Sequence, residues 1–281
     1  TNAAGPRPDP TTARDELRSF VKLVEEAIAA APQEALQLAN TVTVTPGGKT
    51  FSKINDALKS ITDASRQKQY VVQAGPGTYE EVVTCKQWVF LAGAGVGHTT
   101  ITAPATAKRD DKGTVKAASN SAVQSMTILS TGKTAGSWAT SIDCAAAVDF
   151  SIDNCNLETH GVDGTNLVTL AVDDGSAGGD SQVNVSYTMV NTYGDAKMAA
   201  YALYAYSRSY VHVMNSKVVA ENGSPGWGGT ASNESAIDLD RSTVFGTMSL
   251  VLADNTSIIT AKGCKLNGPY SPGVVVNPDH A

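Results

Sequence analysis

The chain has 281 residues, 17% of them charged, and carries a formal net charge of −6. That balance excludes a nucleic-acid binder, which needs a basic stripe to meet phosphates, and no apolar run approaches the roughly 18 residues that mark a membrane-spanning helix. With 25 Gly, 11 Pro and abundant Ser, Thr, Asn and Val, the composition is β-rich and turn-rich.

Residues 1–11 read as a flexible leader, and 12–40 as an N-terminal helical segment. Thr12 and Asp15 stand at capping spacing, and Leu17, Phe20, Val21, Val24, Ala27 and Ile28 recur at three and four. Such a helix is expected to cover the open end of a β domain, with oligomer formation through 12–31 as the alternative. Thr41–Thr45 alternates Thr and Val, a strand; Pro46-Gly47-Gly48 turns; Phe51, Ile54, Ala57, Leu58 and Ile61 then repeat at helical spacing. The short helix they form would plug a solenoid and shield its edge. Tyr70–Val72 is β-rich, Gly75-Pro76-Gly77 forces a sharp corner, and Glu81–Thr84 starts another strand at once.

These stretches, with Thr78-Tyr79-Glu80-Glu81-Val82 and Leu91-Ala-Gly-Ala-Gly95 leading to Thr100-Ile101, resemble the opening of pectin methylesterases. About 60 residues share that order and spacing. The resemblance implies a right-handed parallel β-helix, pectin lyase-like and otherwise all-β, placed here at 41–268 with a tail at 269–281. Beyond Gly113 a rough repeat continues it. Its units are Ser141–Ala147 with Val148–Gly161, Leu167–Asp173 with Gln182–Gly194, and Ala200–Ser207 with Tyr210–Gly223; Ile237–Ser242 opens another.

Alternation along these strands predicts an outer ribbon. With Ile142, Leu170, Leu203 and Ile237 inside, Ser141, Thr169 and Ser242 point outward, and Asp143, Asp173, Tyr204, Tyr206, Arg208, Asp238 and Asp240 share one exposed face. The resemblance implies an Asp nucleophile, an Asp acid/base, two oxyanion-stabilising Gln and an Arg in Leu-Gly-Arg-Pro-Trp. The sequence departs at each point. Trp138-Ala-Thr-Ser141 stands where Gln is expected, and His160-Gly-Val-Asp163-Gly follows Asn154-Cys155 where Gln-Asp-Thr is expected. Ala200–Tyr206 has no Asp, and Asp240-Arg241-Ser242 lacks the neighbours of the family's Arg.

The candidate catalytic residues are therefore Asp163, Asp173, Asp238 and Asp240, and the candidate ligand-binding residues are Asp143, Tyr204, Tyr206, Arg208 and Trp227. Tyr201 and Tyr210 add to the aromatic group, whose flat rings offer rigid contact area; Trp227, in Gly-Trp-Gly-Gly, is expected as an exposed loop contact. The bland reading of the tyrosines is ordinary strand composition, and that of Asp238 and Asp240, with Glu234 nearby, is solvated carboxylates. Ca²⁺ at Asp238 and Asp240, or in the Asp173-Asp174-Gly175 loop with Asp180, has no supporting motif, so no cofactor or metal is expected. His160 and His212 have no companion at ligand spacing. Four cysteines are too few for a disulfide scaffold, and Cys144 and Cys155 are read either as buried thiols or as a bridge.

Three functions stay open: a β-helix that lacks the usual esterase residues and binds a polysaccharide or other extended ligand; a carbohydrate esterase, lyase or hydrolase with a divergent Asp-based site; and a structural or adhesin module. The expected location is secreted or cell-surface, although no signal peptide is visible after Thr1.

Overall fold

The computed structural model describes residues 40–104, 113–132, 136–162, 165–173, 180–194, 200–221 and 225–277. The expected leader, and all but the last residue of the helical segment at 12–40, lie outside them. Within the described residues the chain is a parallel β-helix: strand pairs run parallel and assemble into one ten-stranded and two eight-stranded sheets. Sheet 1 begins with Asn40–Val44, sheet 2 with Gly77–Glu80 and sheet 3 with Val83–Thr84.

The opening rung follows from its residues. Asn40–Val44 pairs with Tyr70–Ala74, placing Val42 beside Val72. Gly77 has φ 133, and a side-chain carbon there would stand 2.6 Å from Pro46 Cγ, so only glycine fits this corner. The helix Ile54–Ser60 buries Ile54, Ala57 and Leu58 against the coil. Lys53 gives it no side-chain cap. Its free N–H groups are met from the rung: the Glu81 carboxylate accepts Ile54 N–H at 2.7 Å and Asn55 N–H at 3.1 Å. Asn55 Nδ2 donates in return to Glu81 at 2.8 Å and to the Val82 carbonyl at 2.6 Å. Plug helix and first corner are thus one hydrogen-bonded unit.

Downstream, each turn visits sheet 1, sheet 2 and sheet 3. Phe150–Asp153, Asn156–Gly161 and Asn166–Asp173 make one turn, and Gln182–Ser186 returns to sheet 1 with Val185 beside Ile152. Val148–Gly161, expected as one run, is therefore two strands divided at Asn154 and Cys155. The bend needs only one left-handed residue, Asn154 with φ 48, which leaves no periodic signal. Inside, like side chains stack in register: Ile128, Leu157, Val190, Val218 and Val244 are all essentially inaccessible to solvent. Each such burial contributes about 1.5–3 kcal/mol.

The same corner repeats with its own hydrogen bonds. Asn154, Tyr187, Asn215 and Arg241 all have φ between 47 and 49. The residue after each turns a short polar side chain inward to accept the backbone N–H of the rung before it. Cys155 N–H meets Thr188 Oγ1 at 3.3 Å, Thr188 N–H meets Ser216 Oγ at 3.1 Å, and Ser216 N–H meets Ser242 Oγ at 3.2 Å. Ser242, expected on the outer ribbon, is thus buried as a rung of this ladder.

The coil runs past the expected end at 268. Tyr270 bridges Leu250, and Val275–Asn277 pairs with Ile258–Lys262 in sheet 1. All four cysteines are free thiols, Cys85, Cys144 and Cys155 buried. Burial pushes the Cys85 and Cys155 thiols up to about 12, so they are inert at neutral pH.

Candidate functional site

The expected ribbon divides between two sheets. Asp143 (strand Ile142–Ala145), Asp173 (Asn166–Asp173), and Tyr204 and Tyr206 (Ala200–Tyr206) lie on sheet 3; Asp238 and Asp240 (Ala236–Asp240) lie on sheet 1. The strand that follows Ala200–Tyr206 on sheet 3 is Gly226–Ser232, with Trp227 beside Tyr201 and Thr230 beside Tyr204. Trp227 is therefore a half-buried strand residue rather than an exposed loop contact. Its glycines disguise it. A side-chain carbon on Gly228 would stand 2.5 Å from Val244 Cγ1 and 2.6 Å from the Ser249 carbonyl oxygen, so the bend in this strand requires a residue that reads as loop.

On sheet 3 the aromatic residues form a continuous array. Trp227 and Tyr201 meet edge to face with ring centroids 4.6 Å apart, Tyr201 and Tyr204 are 5.2 Å apart at 62°, and Tyr204 and Tyr206 are nearly parallel at 6.0 Å. All four rings are half-buried. Desolvation, then Tyr204, raises the Tyr201 phenol above its usual range, so it stays a neutral donor. Tyr201 completes the array; adjacency to Trp227 was the missing signal, and it needed the hidden strand.

Two carboxylates border the array. Asp143 is paired in register with Lys116 on one side and Ala171 on the other, and is 8% exposed. Asp173, half-buried, lies two residues beyond Ala171 on the neighbouring strand. Arg208 sits in the turn after Tyr206 with φ 57, exposed, its Nε 3.8 Å from Asp180 Oδ1. Ser141 and Thr169, expected outside, are buried; Thr169, within Asn166–Asp173, donates from Oγ1 to the Asn191 carbonyl of sheet 2 at 2.9 Å.

Asp238 and Asp240 have other surroundings. Asp238 accepts Thr260 Oγ1 and is hydrogen-bonded by Tyr210, whose phenol is raised first by desolvation and then by that carboxylate. Asp240 pairs with Arg241 at 2.9 Å. On sheet 2, His160 Nε2 lies 3.1 Å from Glu158 and its ring 4.6 Å from that of Tyr193, a contact its sequence neighbours did not reveal. Asp163 lies outside the described residues. Among the described residues no group of three or more His, Cys, Asp or Glu could hold a metal ion, and no helix is long and apolar enough to cross a membrane.

Coil and aromatic face define a class, a parallel β-helix with a solvent-facing wall. The pectinesterase family model matches residues 40–167. No curated protein matches the chain. Among solved structures, the pectin methylesterase from carrot is 12% identical, with 86% of this chain and 90% of that chain covered and a TM-score of 0.58. The Aspergillus niger enzyme is 18% identical, with coverages of 86% and 82% and a TM-score of 0.59. A pectin methylesterase in complex with a hexasaccharide is 16% identical, with coverages of 85% and 93% and a TM-score of 0.56. The likeness is one of fold: the chain is similar to pectin methylesterases in its right-handed parallel β-helix. Pectinesterases need no cofactor.

Proposed function

We propose that this protein binds a polysaccharide or another extended ligand on the outer face of sheet 3 and does not run the esterase reaction. The observation that carries this reading is the unbroken contact from Trp227 through Tyr201 and Tyr204 to Tyr206. Four rings held by one another on a rigid sheet cost little entropy to present, and each offers a flat apolar surface with a polar edge. A likeness in fold to an enzyme solved with a hexasaccharide fits such a face. Asp143 and Arg208 would border the ligand and set its orientation. An extracellular location follows from the same likeness and from the polymer itself. The test is retention on immobilised glycans: Tyr204→Ala with Tyr206→Ala should abolish it while the melting temperature stays near that of the parent. Methanol released from methylated pectin, and abolished by Asp163→Ala, would overturn the non-catalytic part.

One observation favours a second, enzymatic reading. Asp143 and Asp173 are diagonal neighbours beside the array, one nearly enclosed and one half-open. Two carboxyl groups that flank one sugar, one as acid and one as base or nucleophile, are what glycoside hydrolysis needs. Reducing ends released from a bound glycan, and lost in Asp173→Asn, would establish it. Asp238 and Asp240, on another sheet, would contribute to neither reading.

A further inference from the structure

We infer that the ligand of the sheet 3 face is an uncharged glycan, a chain of neutral pyranose rings stacked on the aromatic array; this rests on the binding role proposed above. Three successive strands of the sheet, Ala200–Tyr206, Gly226–Ser232 and Met248–Leu252, contain no charged residue. Over the same turns, four of the six strands on the other two sheets carry charge, while Tyr210–Met214 and Thr243–Phe245 do not. Sheet 1 carries Asp238, Asp240 and Lys262 on Ala236–Asp240 and Ile258–Lys262, and sheet 2 carries Lys217 and Glu221 on Lys217–Glu221. Charge is thus left off all three strands of one wall and kept on most strands of the other two.

Among the described residues, the balance at the border of this wall is acidic. Asp143 and Asp173 stand on the adjoining strands. Two cations nearby, among the described residues, each have a carboxylate beside them, Lys116 with Asp143 in register and Arg208 with Asp180 at 3.8 Å. A polyuronate would bring one carboxylate per sugar onto a face bordered by like charge, on a chain of net charge −6. A neutral pyranose needs only what the wall presents: ring faces for its C–H groups, and phenol and indole edges to hydrogen-bond its hydroxyls.

The experiment compares cellohexaose, xylohexaose and hexagalacturonate by calorimetry on the full chain, at low and high salt. A neutral hexasaccharide is expected to bind about tenfold or more tightly than hexagalacturonate, with an affinity that does not change with salt. That binding should vanish in Tyr204→Ala with Tyr206→Ala and persist in Tyr204→Phe, which keeps the ring. Tighter binding of hexagalacturonate that weakens with salt and is lost in the double variant would overturn the inference while leaving a saccharide-binding face intact. Absence of binding to all three, or binding that survives in a folded double variant, would remove the face and the inference together. Should the double variant not fold, Trp227→Leu takes its place, with the same outcomes.

Discussion

The corner between sheet 1 and sheet 2 is built by different chemistry in the first rung and in the rungs from Asn154 onward. In the first rung it is Gly75-Pro76-Gly77, with Gly77 at φ 133 where only glycine is comfortable. In those later rungs it is a single left-handed residue, such as Asn154, Tyr187, Asn215 or Arg241, followed by an inward thiol or hydroxyl. The first corner is fixed by its own glycine φ and by close contact with Pro46, just past Asn40–Val44; the later ones are held by hydrogen bonds to the next turn of the coil. Strain of about 1–2 kcal/mol at each left-handed residue is offset by bonds such as Asn154 N–H to the Ser186 carbonyl at 3.1 Å and Asn215 N–H to that of Asp240 at 3.1 Å. A corner can be specified by its own residues or by its neighbours in the stack.

Four experiments bear on this difference. Gly77→Ala forces a disallowed φ and a clash with Pro46 and should destabilise by about 3 kcal/mol in denaturant unfolding. A cost below about 1 kcal/mol would show that the first corner yields. Ser216→Ala removes the acceptor for the buried Thr188 N–H and should cost about 2 kcal/mol, with faster amide exchange at Thr188. Asn215→Gly exchanges left-handed strain for chain entropy and should change stability by less than about 0.5 kcal/mol; a large loss would mean that the Asn215 side chain itself holds the corner. The smallest effect concerns Asp254, in the turn after Met248–Leu252. The Asn233 N–H in the turn of the rung before, with help from Ser257 and Thr256, holds its carboxyl well below the usual carboxylate range. A depressed folded value contributes stability above the unfolded pKa, about 3.9, that is lost as pH falls through the folded one. Stability relative to Asp254→Asn should therefore be flat near neutrality and shrink only in acid; a difference unchanged down to strong acid would contradict the assignment.

The same contrast explains what could be read from the residues alone. The opening rungs were legible because their corners are written in Gly and Pro and their plug helix in helical spacing. Glu81 was visible as part of the motif, but its role as the cap of Ile54 and Asn55 required the fold. Downstream, the inward positions of Ile142, Leu170, Leu203 and Ile237 were read correctly, because alternation survives in short strands. The assignment of Ile237 to the same sheet as Leu203 failed. One strand, Gly226–Ser232, looked like a loop, and skipping it moved Asp238 and Asp240 onto the wrong wall. Tyr204 and Tyr206 were placed on the right face, while Tyr201 and Trp227 came together only once that strand was counted.

The ladder of Thr188, Ser216 and Ser242 has a consequence for how such a molecule can change. Each member accepts from the rung before and donates its own N–H to the rung after, Ser242 to Cys264 Sγ at 3.4 Å. The rungs are therefore interchangeable parts, and a gene that duplicated one whole turn would insert a unit whose upper and lower surfaces already fit. Length can be gained or lost in whole turns without redesigning the interior, and a wall that grips a polymer grows by one strand each time.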